Sequence, residues 1–176
     1  GTLDGTQTHK WVLEGLFGPS YKIVRTKELQ EKGYLAALNI QCIVLKHKPQ
    51  KFETYEDEIQ YLIGHEQRNK FITNLTLDLK GNTLVLFSRV EAHGAILYEK
   101  INSSKQENRK VFFVHGGVDA EERELVREIT EKEDNAIIVA SYGTFSTGIN
   151  IKKLHNVIFA SPSKSRIRNL QSIGRV

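Results

Sequence analysis

Four short apolar runs, Thr83–Phe87, Val111–Val114, Ala136–Ala140 and Val157–Ala160, restrict the folds open to this chain more than any other feature. Each is too short for a buried helix. Apart from Thr83, each is apolar at successive rather than alternate positions, the pattern of a strand covered on both faces. Between them lie stretches expected to be helical, at about Val90–Lys100, Asp119–Lys132 and Ser163–Ile173. Asp119, with Glu122 three residues on, supplies a helix start through an N-cap and first-turn charge. Strand–helix–strand alternation with connections this short implies an α/β fold with a parallel sheet and right-handed crossovers. Ligands of such sheets gather at the C-terminal ends of the strands.

The N-terminal part reads differently. Residues 1–21 are rich in glycine and include Pro19, which suggests a turn-rich connection with a short helix around His9–Leu16. Lys27–Lys32 is expected to form a helical turn or two, stopped by Gly33. Asn39–Leu45 alternates and accumulates β-branched residues, so a strand is expected there, ending before Pro49. Helices are expected over Tyr55–Ile63, with Ile59, Leu62 and Ile63 inward, and over Glu66–Leu79, with Ile72, Leu75 and Leu79 inward. The lone Cys42 lies in an apolar run and reads as a small buried hydrophobe; neither a disulfide nor a zinc site can be assembled.

At 39% hydrophobic and 26% charged residues the composition is that of a soluble globular protein. No apolar run approaches the ~20 residues needed to cross a bilayer, and no basic-then-apolar leader opens the chain, so a cytoplasmic location is expected. A net charge of +4 permits a polyanionic partner without demanding one. The chain has no methionine, begins Gly-Thr-Leu-Asp and stops at Arg175-Val176, which suggests a segment of a longer protein.

The unusual residues cluster where the strands end. The first run leads into Ser88-Arg89 and the second into His115-Gly116-Gly117. The third leads into Ser141-Tyr142-Gly143-Thr144 and on to Gly148 and Asn150. The fourth leads into Ser161-Pro162-Ser163-Lys164, then Arg166, Arg168, Gln171, Gly174 and Arg175. Small residues, hydroxyls and exposed amides at successive helix starts suit phosphates, and they bind a backbone without reading bases. Taken singly, Ser88 and Arg89 read as a cap and a solvated charge, His115–Gly117 as a tight turn, and the Lys164–Arg168 cations as a solvated helix face. Only the Ser/Thr/Gly run after the third strand exceeds an ordinary loop. The order and spacing of the set carry the functional reading.

That order resembles the superfamily 2 helicases, in the branch of UvsW-like phage recombination helicases and XPB-like repair helicases. Gly1–Gly5 is similar to the end of the motif closing the first motor domain. Leu16-Phe17-Gly18-Pro19, Glu28-Leu29 and Glu31–Leu35 are similar to the linker of this branch. Leu84–Arg89 resembles motif IV, Ile138–Asn150 motif V, and Gln171-Ser172-Ile173-Gly174-Arg175 the Gln-x-x-Gly-Arg core of motif VI. Val114–Gly117 with Glu122-Arg123 resembles the segment between motifs IV and V.

The resemblance implies a RecA-like (P-loop NTPase-type) domain over residues 22–176, preceded by the end of a first motor domain and a linker over residues 1–21. It implies catalytic roles for Gln171 and Arg175, and nucleotide contacts from Gly148, Asn150 and Gly174. Ser88, Arg89, His115, Gly116, Ser141, Tyr142 and Thr144 would hold nucleic acid. The implied cofactors are ATP and Mg2+, the metal being held by the first domain. The implied partners are single-stranded or branched DNA, RNA–DNA hybrids, and the N-terminal RecA-like domain of the same protein.

Two departures stand out. Asn150 replaces an aspartate that contacts ribose in many relatives, although an amide still bonds a hydroxyl. The second is that the chain stops inside motif VI, short of a further arginine that the family carries about three residues beyond Arg175; with no Gly-x-x-x-x-Gly-Lys-Ser/Thr present, a feature of the first domain, this polypeptide by itself is expected not to hydrolyse ATP. A translocase that remodels complexes without separating strands would carry the same motifs, and a non-catalytic α/β phosphate-binding module remains a further alternative.

Overall fold

The computed structural model describes residues 7–21, 23–34, 37–146 and 151–174. It divides the chain into two compact units, Gly1–Cys42 and Ile43–Val176. Residues 22–42, grouped above with the second motor domain, therefore fall in the first unit. That unit holds α1 (Gln7–Phe17) and α2 (Thr26–Glu31), and none of its described residues is buried. As expected, Gly33 closes α2 in the left-handed region, at φ +74, where an L side chain would be strained.

No strand forms over Asn39–Leu45; residues 37–52 carry no regular structure. The β-branched alternation is there, but no other strand pairs with it, and an unpaired strand has no ladder to hold it. Cys42 is exposed for the same reason, not buried.

The second unit opens with α3 (Tyr55–Gly64), whose start is a reciprocal capping box between Thr54 and Asp57. His65 ends α3 and begins α4 (Glu66–Asp78), its Nδ1 accepting from the Arg68 N–H at 3.2 Å. The strands β1 (Thr83–Phe87), β2 (Val111–Val114), β3 (Ile137–Ser141) and β4 (Asn156–Phe159) form one parallel sheet in the order β2-β3-β1-β4. Alternate β1 residues point to opposite faces. Leu84 and Leu86 join Val114, Val126 of α6 (Ala120–Lys132) and Phe145 in one core layer. Val85 and Phe87 join Ile72 of α4 and Leu97 and Ile101 of α5 (Ile96–Ser104) in the other.

Three differences from the expected helices matter. The stretch Val90–Lys100 is not one α-helix: it opens as a π-helix, Val90–Ala95, and only then becomes α5. Tyr142–Ser146 is a short helix, α7, inside what read as loop. The last helix, α8, runs Arg166–Ile173 and is capped by Ser165, whose Oγ accepts from the Arg168 N–H.

Two buried polar residues tie the N-terminal side of the sheet together. Asn82 Nδ2 faces the carbonyls of Thr130, Glu133 and Lys153 at 2.8–2.9 Å, and its Oδ1 accepts from Ala136 N–H at 2.8 Å. Arg109, 6% exposed, donates to the Leu77, Leu79 and Asn135 carbonyls and meets no carboxylate in those contacts. Burial lowers its pKa from the ordinary arginine value, and two of its acceptors lie at the negative end of α4.

Candidate nucleic-acid interface

All four strands point the same way, so the turns that follow them share one edge of the sheet. Phe87 and Ser141 are register partners, which sets the turns after β1 and β3 side by side. At the β4 end of this edge, Ser88, Arg89, Ser161, Ser163, Lys164 and Arg168 line a cleft of about 310 Å³, with Tyr55, Glu56 and Ile59 of α3 opposite.

Three cations of the rim have partners. The Nη2 of Arg89 donates to both Glu56 oxygens at 2.8 and 2.9 Å. Lys164 Nζ sits 4.4 Å above the Tyr55 ring, and the Arg168 guanidinium 5.6 Å from the Tyr142 ring, within the range of cation–π attraction. Below the rim, Ser161 joins three turns: its Oγ accepts from Ser88 N–H at 3.1 Å, and its carbonyl accepts from the Tyr142 hydroxyl at 2.7 Å. Arg68 donates to the neighbouring Ala160 carbonyl at 2.5 Å. Burial lowers the Arg68 pKa.

The expected nucleic-acid residues thus separate into groups. Ser88 and Arg89 lie on the cleft and are exposed. Ser141, Tyr142 and Thr144 are 9, 2 and 5% exposed. The Ser141 and Thr144 hydroxyls bond each other at 2.8 Å, and the Ser141 Oγ accepts from Thr144 N–H, so this pair caps α7. Burial pushes the Tyr142 hydroxyl up to about 12, against the opposing fields of Arg168 and Arg68; the ring belongs to the core and is not presented for base stacking.

His115 and Gly116 lie at the end of β2 and do not line the cleft. The His115 Nδ1 accepts from Gly117 N–H at 3.1 Å and its carbonyl from Val118 N–H, which makes this segment a tight turn, with Gly116 exposed. Gln171 is exposed on α8. Gly174 caps α8 at φ −70, so it does not use glycine's left-handed freedom. Gly148, Asn150 and Arg175 lie outside the described residues.

Asn69, Arg68 and His93 belong to no expected site, and from sequence Ser161 has no role beyond its place in the turn after the fourth run. His93 and Asn69 carry no motif, and their positions under the cleft follow from pairings 24 and 68 residues apart. Ser161, by contrast, was one residue from a recognisable strand end.

Among the described residues no group of three His, Cys, Asp or Glu gathers as for a metal, and no helix is long and apolar enough to cross a membrane. Residues 66–176 match the family model for the helicase conserved C-terminal domain. The chain belongs to that helicase C-terminal domain family. It is 41% identical over 170 residues to the ATP-dependent DNA helicase uvsW of Enterobacteria phage T4, an alignment covering 92% of this chain and 33% of that protein. The crystal structure of T4 UvsW matches with a TM-score of 0.61 at 41% identity, over 72% of this chain and 25% of that one. The chain therefore spans about a third of the curated relative it matches. For a helicase C-terminal domain, the parallel sheet with motif-bearing turns on one edge is the RecA-like arrangement.

Proposed function

We propose that this chain is the second motor domain of an ATP-dependent DNA helicase or translocase acting on branched recombination or repair intermediates. The observation that carries this reading is the shared edge: the motif IV turn (Ser88, Arg89) and the motif V turn (Ser141–Thr144) are neighbours, and the cleft joins the first of them to the start of the motif VI helix. In this reading Ser88 and Arg89 hold the backbone of a single strand by charge and hydroxyl contacts, without selecting a sequence. The capped α7 turn offers its backbone beside them. DNA is the main partner, single-stranded or branched, with RNA–DNA hybrids as a second substrate, in the cytoplasm.

The residues present also fit one wall of a nucleotide site. α8 exposes Arg166, Arg168 and Gln171 and contains no acidic residue, which suits an anionic ligand. Gln171, Gly174 and Arg175, with Gly148 and Asn150 of motif V, would face ATP from this side. The first RecA-like domain of the same protein would hold the phosphates and Mg2+ from the other. ATP supplies the phosphoryl group whose developing charge an arginine from this wall would stabilise. Opening and closing of the two domains would then step the strand held by Ser88 and Arg89.

The test uses the full-length protein. Arg175→Ala is expected to cut the kcat for DNA-stimulated ATP hydrolysis by at least ~10²-fold, with DNA affinity nearly unchanged. Arg175→Lys should recover little, because a point charge does not reproduce the planar fork. Near-normal turnover with a melting point several degrees lower would make Arg175 a structural residue and overturn the assignment.

A further inference from the structure

The polar chain beneath the cleft admits one proton arrangement that satisfies every member. The Ile63 carbonyl can only accept, so Asn69 Nδ2 donates to it at 2.7 Å. The Asn69 Oδ1 then faces His93 Nε2 at 3.1 Å as an acceptor, which places the imidazole proton on Nε2. His93 Nδ1 is left as a lone pair 3.0 Å from Ser161 Oγ and takes the hydroxyl proton. The Ser161 oxygen keeps its own lone pair for the Ser88 N–H. His93 is 0% exposed, and burial, reinforced by the field of Arg68, depresses its pKa to about 4, which keeps the ring neutral.

The backbone is shaped to bring His93 there. Val90–Ala95 winds as a π-helix, with Gly94 N–H donating to the Arg89 carbonyl at 2.9 Å. Gly94 is pressed so closely on Phe87 that a Cβ would lie 2.5 Å from ring carbons. A π-turn is less favourable than continued α-helix, and such turns recur where a side chain has to be re-aimed for use.

We infer that His93 is a positioning residue for nucleic-acid binding: through Ser161 it fixes the Ser88 backbone and so aligns the β1 and β4 turns toward the strand. The inference rests on the nucleic-acid reading of Ser88 and Arg89. His93 cannot touch the strand itself, so any effect on binding must travel through Ser161.

The experiment measures affinity for a single-stranded oligonucleotide with full-length protein carrying His93→Leu, Ser161→Ala or both. Leucine approximates the volume of the ring and offers no acceptor to Ser161, so the link is broken. Each single variant should weaken binding ~5–10-fold, about one buried hydrogen bond. The double variant should be no worse than either, because both break the same link. Amide exchange at Ser88 should speed up in all three. His93→Phe, tested the same way, takes the place of His93→Leu if the latter does not fold. Affinities within twofold of wild type with a lowered melting point, or losses that multiply, would make His93 an ordinary core histidine and overturn the inference. Arg89→Ala separates the two readings. If it weakens binding while His93 and Ser161 variants do not, only the positioning role fails; if it too is silent, the nucleic-acid reading fails with it.

Discussion

Replacing Glu56 by glutamine removes one charge and almost no volume from the rim of the cleft, and its effect has a sign opposite to most interface mutations. In the structure Arg89 spends its Nη2 on Glu56, so a backbone phosphate must displace or share that carboxylate. Both side chains are about half exposed, at 51% and 54%. An exposed pair of this kind contributes ~0.2–1 kcal/mol. Returning that amount to binding gives a gain of ~1.4- to 5-fold in affinity for single-stranded DNA. Losing a negative charge beside the polyanion should also steepen the slope of log K against log salt by up to ~0.7. Fluorescence anisotropy of full-length Glu56→Gln on a labelled homopolymer between 50 and 200 mM salt, as rough working limits, resolves both effects. The gain should disappear in an Arg89→Ala background. Weaker or unchanged binding with an unchanged slope would show that Arg89 does not meet the strand.

Two stability predictions follow from the buried polar and steric contacts. Asn82→Ala strands three carbonyls and the Ala136 N–H, and should cost ~2–4 kcal/mol by denaturant titration. The isosteric Asn82→Asp turns an oxygen toward those carbonyls and should cost more at neutral pH; an aspartate variant as stable as the alanine one refutes this account. Gly94→Ala should lower stability by ~1–3 kcal/mol, since overpacking against Phe87 exceeds the modest helix gain from alanine. A melting temperature at or above wild type would mean that the ring has room to move.

Much of the sheet was legible because its information is local. Thr83–Phe87 and Val111–Val114 are strands at the residues where successive apolar positions begin and end, and β3 and β4 are displaced by one residue. Local signals failed where a partner decides. Asn39–Leu45 has strand composition but nothing to pair with, and Cys42 is exposed with it. α7 hides in a Ser/Thr/Gly run because its start depends on one serine hydroxyl, that of Ser141. The π-turn has no composition of its own; its need appears only when Phe87 is seen against Gly94. At the interface, the exposed Ser88 and Arg89 stood at a strand end and were visible in the chain. Their support from His93, Asn69 and Arg68 was not, because it depends on contacts up to 92 residues apart.

The placement of β1 between β3 and β4 has a consequence for how the chain is made. Of the four strands of this sheet, the first to leave the ribosome is a central one, and its neighbours follow some 54 to 73 residues later. At a synthesis rate of ~5–20 residues per second, Leu84–Phe87 would wait roughly 3 to 15 seconds for a ladder on either side. During that interval an apolar segment with free hydrogen-bonding groups on both edges is open to other nascent chains. Local helices α4 and α5 can cover one of its faces early, but neither edge. Chaperone binding should therefore peak between the emergence of β1 and that of β3 from the ribosome, and fall after it.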